Sequence, residues 1–297
     1  MSTPRSHRPD RFFDTASPEA LFVISGISQY TGAVIAVSIF DDVPPATVAW
    51  FRVAFAALAI VAVSWRHQRR WSRRDLLGAA LFGIATAFMN LFFYLAIDRV
   101  PLGKSVVIEF IGPISVAAVL TRTKRNSVAL LLAVVGVLVL SGVEIGGEPL
   151  GLLYIFAASA LWAIYIVLGR RVASLDRGLS GLGLGLAIGA VAIAPFGLGH
   201  SATVFTTPRL LGLCAVVGVL STAIAYGIDQ HVMRRIPIRR FAVLLALLPV
   251  TAMLVGFLAL DQRPSLLDLG GAALVIAGVV VQERDELVMP ELDEPPS

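Results

Sequence analysis

Apolar residues along the chain gather into continuous runs, separated by short connections that hold most of the charges. Runs of membrane-spanning length fall at approximately 20–40, 46–65, 75–97, 102–120, 127–143, 150–169, 179–198, 209–231, 239–260 and 265–282. About 20 residues at 1.5 Å rise each cross the hydrocarbon core as a helix. The strict alternation of a transmembrane barrel strand is absent. The pattern predicts an all-α polytopic membrane protein with ten transmembrane helices. The first run, Leu21 to Phe40, is longer than a signal-peptide core and is followed by no small-residue cleavage site. It is expected to remain as a helix.

Charge orients these spans. "RHQRRWSRR" at 66–74 holds five arginines, "RTKR" at 122–125 three basic residues and "RRIPIRR" at 234–240 four. The intervening connections "DDVPP" (41–45), "EIGGEP" (144–149) and "GHSATVFTTP" (199–208) hold none. Alternation of this kind puts the arginine-rich connections and both termini in the cytoplasm. Residues 1–19 and the acidic stretch 283–297 are then cytoplasmic tails.

A shift of 136 residues superposes Pro101 and Pro113 on Pro237 and Pro249. The same shift lays Thr86, Asn90 and Tyr94 on Thr222, Tyr226 and Gln230, two polar stripes recurring every fourth residue on one helix face. The chain therefore reads as two five-helix repeats, 20–143 and 150–282. An odd number of spans makes the second enter the membrane inverted, as in secondary transporters whose broken helices meet near the midplane.

The run "MNLFFYLAIDRVPLGKSVVIEFIGPISVA" (89–117) resembles helices three and four of the drug/metabolite transporter superfamily, EamA-type. "ALWAIYIVLGRR" (160–171) and "STAIAYGIDQHVMRRIPIRRFAVLLALLPV" (221–250) resemble the matching segments of the second half. Within the superfamily the likeness runs to bacterial threonine/homoserine and aromatic amino acid exporters, and it covers roughly 20–282. It implies a carrier in the bacterial inner membrane with a cavity lined by helices one, three, four, six, eight and nine. It also implies export. Two departures stand out: Leu248 precedes the ninth-helix proline where many members have Glu, and Leu260-Asp261 replaces a common Gly-Glu.

Glu109 is the residue that most needs explaining, because a carboxylate within a span costs about 2.5–3.5 kcal/mol to insert. It lies roughly 10 Å below the outer surface at 1.5 Å per residue, at a depth shared with Arg52 and Asn90. Two readings stay open: Glu109 holds the ammonium of an amino acid or carries a proton, or it forms a buried ion pair with Arg52. By the repeat, Leu245 stands where a second Glu109 would be. Tyr30 and Trp162 correspond at a shift of 132 and are candidate aromatic walls near mid-membrane. Tyr94 and Tyr226 join them as candidate lining residues with Asn90. Pro113 and Pro249 are candidate hinges or kinks, since each removes a helical N–H. Gly181, Gly185 and Gly189 form a small-residue face for close helix approach. Asp229, Gln230 and His231 read as the cytoplasmic end of the eighth span.

Composition narrows the class. With 15% charged residues against about 25% in soluble domains, the chain is solvated by lipid and not by water. The basic pI of about 9.6 comes from the cytoplasmic connections and not from a nucleic-acid face. One cysteine, Cys214, excludes a disulfide framework, and the four histidines show no metal spacing. "DRVPLGKS" (98–105) fails as a phosphate loop because Asp98 occupies the required glycine and no strand precedes it. "GLSG" (178–181) matches a nucleophile pattern, but no histidine lies in a span to serve Ser180 as base. An intramembrane hydrolase is thus disfavoured, and no enzyme or cofactor is expected.

The expectation is a secondary transporter exporting small amino acids or related metabolites, aromatic or apolar ones included, by alternating access. A multidrug or other small-metabolite exporter of the same fold is the alternative, and protons are a candidate coupling ion. The topology predicts that a fluorescent protein fused after Ser297 lights up in cells, while alkaline phosphatase fused at His200 is active. The opposite result in either fusion overturns the orientation.

Overall fold

The computed structural model describes residues 15–64, 71–100, 105, 108–140, 148–175, 179–260 and 264–282. The outer parts of both tails (1–14 and 283–297), most of the arginine connection after the second span and Pro101 lie outside them. The helices are α1 (Pro18–Val37), α2 (Pro45–Ser64), α3 (Arg73–Ile97), α4 (Ile111–Leu120), α5 (Lys124–Leu140) and α6 (Pro149–Ala173). There follow α7 (Ser180–Thr206, through a 3₁₀ turn at Leu198–His200), α8 (Pro208–Arg235), α9 (Ile238–Leu244, then Leu247–Leu260) and α10 (Leu266–Val281). No strand occurs among the described residues.

Seven helical stretches are long and apolar enough to cross a membrane: α1, α2, α3, α6, α7, α8 and Ile238–Val255 of α9. Helices α4 and α10 are apolar but shorter, with 10 and 16 residues. The described residues thus supply seven of the ten expected spans by length and composition.

Local chemistry sets the helix starts. Ser17 and Ser72 accept the Ala20 and Asp75 N–H groups at 3.2 and 3.1 Å. Ser265 and Asp268 form a reciprocal capping box. Pro18, Pro149 and Pro208 occupy first turns, where the missing N–H costs nothing.

The helices pack in a pattern that repeats when each is exchanged for the one five along. Helix α5 lies along α10, α2 along α7, and α4 against the first piece of α9. The other main contacts come in couples: α3 with α6 and α8 with α1, α3 with α7 and α8 with α2, α6 with α4 and α1 with α9. Two related halves produce this arrangement when they pack about a common axis.

Close approach along these seams depends on missing side chains. A Cβ on Gly83 of α3 would collide with the Gly185 carbonyl, and one on Gly189 with the Gly83 carbonyl. In the α5–α10 seam a Cβ on Gly136 would stand 2.7 Å from the Gly271 carbonyl oxygen. Gly185 and Gly189 of the small-residue face therefore meet α3, whereas Gly181 sits beside Val172. Backbones this close gain van der Waals contact that lipid chains cannot supply.

Gly83→Ala is expected to lower stability by about 1–3 kcal/mol, the usual cost of overpacking. Gly78→Ala meets nothing within 4 Å and should leave the melting temperature unchanged or slightly raised. Thermal melts of the two purified variants in detergent check the difference; equal melting temperatures would contradict the seam.

Candidate functional site

Between the halves lies a cavity that opens about 50 Å³ to the centres of water molecules, room for a few waters. Its walls are Gln29, Tyr30 and Ala33 of α1, Arg52 of α2 and Met89, Asn90 and Phe93 of α3. Glu109 and Phe110 at the entry to α4, Trp162 of α6, Tyr226 and Asp229 of α8 and Leu245 and Leu248 of α9 complete it.

The prolines place two of these residues. Pro113 has no N–H to give the Glu109 carbonyl, and Pro249 none for that of Leu245. Regular α4 begins only at Ile111, and α9 breaks at Leu245–Ala246. There the Leu248 N–H donates to the Leu245 carbonyl at 2.9 Å, tightening the turn. In each half, the residue four before the proline faces the cavity: an acid in the first, a leucine in the second.

A π-helical turn at Val219–Ile224 of α8 places the rest. Its wide winding leaves carbonyls available to neighbouring helices, a common feature of functional sites. Arg52 Nε donates to Thr222 Oγ1 at 2.7 Å, and Arg52 Nη2 to the Ser221 carbonyl at 3.1 Å. Ser28 Oγ donates to the Leu220 carbonyl at 2.8 Å, and Ser221 Oγ to that of Gln29 at 3.0 Å. Helices α1, α2 and α8 are thus latched together at mid-chain depth.

This corrects one expectation. Arg52 is buried and held by α8, and among the described residues no ion pair joins it to Glu109. Its guanidinium lies 5.3 Å from the centre of the Tyr94 ring. Tyr94 is accordingly not a wall of the cavity: it is fully buried behind Arg52 and packs edge-on against Phe40 at 5.4 Å. The sequence stripe put it on the right helix face but one layer too deep.

Tyr30, Asn90, Glu109, Trp162 and Tyr226 come together in the cavity. Asn90 and Tyr226, equivalent by the 136-residue shift, hydrogen-bond each other, the tyrosine O–H donating to Asn90 Oδ1 at 3.3 Å. Asn90 Nδ2 donates in turn to the Thr86 carbonyl at 2.7 Å. Trp162 meets Phe110 edge-on, ring centres 5.0 Å apart. Glu109 alone among the charged walls has no hydrogen bond or ion pair from the described residues, and it remains partly open to the cavity.

Sequence reasoning missed Gln29, Phe110 and, above all, Asp229. The latter reads as part of the cytoplasmic end but is buried, lines the cavity and accepts the Tyr165 O–H at 2.8 Å. Its signal was available: it follows Tyr226 by three residues and so shares its helix face. The cavity therefore presents one guanidinium and two carboxyl groups amid aromatic and apolar walls. No cluster of three or more metal-ligating side chains occurs among the described residues.

A double-mutant cycle separates Arg52's two candidate partners. Arg52→Gln with Thr222→Val is expected to show a coupling of about 0.5–3 kcal/mol in unfolding, whereas Arg52→Gln with Glu109→Gln should be closer to additive. Stronger coupling to Glu109 than to Thr222 would contradict the latch.

Comparison with known proteins agrees with this geometry. The sequence profile of the EamA-like transporter family matches residues 17–144 and again 149–282. The threonine/homoserine exporter RhtA of Escherichia coli (strain K12) is 30% identical over 286 residues, 93% of this chain and 95% of that protein. RhtA of Salmonella typhimurium (strain LT2) is 31% identical over 82% of this chain and 84% of its own. The uncharacterized transporter YyaM of Bacillus subtilis (strain 168) is 25% identical over 87% and 91%. One solved crystal structure superposes with a TM-score of 0.70 at 20% identity, covering 89% of this chain and 95% of that one, a likeness of fold alone. With the profile matching both halves and a relative at this identity spanning nearly the whole length, the chain belongs to the EamA-like transporter family of the drug/metabolite transporter superfamily.

Proposed function

We propose that this protein is a secondary carrier that exports small α-amino acids or close metabolites across the bacterial inner membrane. The observation that carries the reading is one cavity with Arg52 and Glu109 on its walls, opposite in charge and not spent on each other. A zwitterion matches that arrangement. Its ammonium meets Glu109, and its carboxylate meets the Arg52 edge not engaged by α8. Its side chain lies against Phe110, Trp162 and Leu248. The names of the full-length relatives, threonine/homoserine exporters, support the same class of cargo and the direction.

The carrier works by alternating access. Two inverted repeats, 20–143 and 150–282, supply ten spans with both termini in the cytoplasm, and they rock about the cavity with Pro113 and Pro249 as hinges. The aromatic pair Phe110–Trp162 with Tyr30 favours one second reading, export of apolar cationic drugs, since such cations also lie on ring faces. The family and the named relatives are transporters, and no enzymatic role is assigned.

Counterflow in proteoliposomes tests the reading. Vesicles preloaded with threonine, homoserine, methionine or phenylalanine should take up the matching labelled compound, and vesicles preloaded with a cationic dye should not. Dye exchange without amino acid exchange would transfer the assignment to the second reading. Glu109→Gln should raise the half-saturating amino acid concentration roughly 10–150-fold, the equivalent of one hydrogen bond to a charged group at about 1.5–3 kcal/mol. Wild-type saturation in that variant would remove Glu109 from the binding role.

A further inference from the structure

The zwitterion reading leaves one charged group without a task. Arg52 and Glu109 account for the two charges of an amino acid, but Asp229 shares the same cavity. With all three groups and a bound zwitterion ionised, the site carries one uncompensated negative charge inside the membrane, an expensive state. Asp229 is buried, and its one hydrogen bond in the structure is from a neutral donor, Tyr165 O–H at 2.8 Å. A space that holds a few waters has little room for a second bulky cation beside the substrate.

We propose that Asp229 is the proton site of this carrier, separate from the substrate's ammonium site at Glu109. The two acids divide the work by position. Glu109 precedes α4 on the outer half, while Asp229 lies in α8 six residues before Arg235, the last residue of that helix at the arginine-rich face. A proton from water on the outer side binds the Asp229 carboxylate and makes it a neutral carboxyl group. After the halves rock, it leaves to cytoplasmic water as substrate moves outward, and the carboxylate is restored with the Tyr165 O–H still donating to it.

The groups facing Asp229 are consistent with this division. The cavity presents Tyr30 from α1, Arg52 from α2, Glu109 from α4 and Tyr226 from its own helix, while Tyr165 comes from α6. Helix α7 contains no titratable side chain, and α9 presents Leu245 and Leu248. Nearer the cytoplasmic end, Arg170 donates to the Ile236 carbonyl, and Arg240 pairs with Glu19 at 2.8 Å, with Arg239 beside it and His231 on α8. Arg52 is the one cation in the cavity wall, and its Nε and Nη2 are already engaged by Thr222 and Ser221.

This inference rests on the amino acid reading above, and one experiment separates the two. The full-length protein is reconstituted with a pH-sensitive dye in the lumen, and labelled threonine and luminal pH are followed together. Wild type is expected to move a proton against each threonine. Asp229→Asn should reduce the proton-to-threonine ratio to background, and Asp229→Glu should restore it. A purely structural role would lower both fluxes together and leave the ratio unchanged, which overturns the proposal.

Threonine movement with no luminal pH change in wild type overturns the proton site alone. Failure of wild type to move any amino acid overturns both readings. Should Asp229→Asn fail to reach the membrane, Tyr165→Phe removes the donor while keeping the carboxylate. It should shift the pH profile of the proton-to-threonine ratio; an unshifted profile overturns the proposal.

Discussion

Hydrocarbon offers no hydrogen bonds, so each buried N–H, O–H and charge in this chain has to find its partner in the protein. That constraint concentrates the polar side chains where helices of the two halves meet. Arg52 is the clearest case. A guanidinium in a span is tolerable because the π turn of α8 supplies a hydroxyl and a carbonyl to it, and the Tyr94 ring lies under it. The same turn accepts Ser28 and donates through Ser221 to α1, so one irregular stretch of α8 satisfies groups on two neighbouring helices. Asn90 and Tyr226 satisfy each other at equivalent positions of the two halves.

The frame is symmetric, but its contents are not. Pro113 and Pro249 break equivalent helices at equivalent places, and each break turns the residue four earlier toward the cavity. One half puts Glu109 there and the other Leu245. Leu248, also on the wall, is apolar as well. The second half contributes its acid from another helix, at Asp229, and neutralises part of its polarity locally through Tyr165. A pseudo-twofold scaffold thereby acquires different chemistry on its two sides.

The parts of this arrangement that depend on local periodicity were legible in the sequence. Apolar runs, proline spacing and the four-residue polar stripes located the long helices, the two breaks and five of the cavity walls, because each follows from residues near one another in the chain. Partnerships across helices were not legible. Nothing in "TVAWFRVAF" says whether Arg52 reaches Glu109 or α8, since the answer depends on a π turn some 170 residues away. Tyr94 was misjudged by one layer because a helix face does not reveal what stands between a side chain and the cavity. Asp229 was hidden by its arginine neighbours: charge near a helix end reads as solvated surface. The Gly185–Gly189 face was legible as a close-packing surface, but its partner Gly83 was not.

The distribution of dry seams and polar latches bears on how such a carrier could open. The α3–α7 and α5–α10 seams are backbone-to-backbone contacts at glycine, where even a methyl group does not fit. Separating them would expose nothing polar but would forfeit dispersion contacts all along the seam. The α1–α2–α8 latch is the reverse, a small set of directional bonds around one π turn. Such bonds can exchange partners without leaving a group orphaned, provided a substrate carboxylate or water replaces the carbonyl that Arg52 releases. A cavity with room for only a few waters has to widen before an amino acid enters. On the proposed cycle, then, the glycine seams move as rigid bodies and the polar latch yields, and the arriving carboxylate compensates Arg52 for the bond it loses.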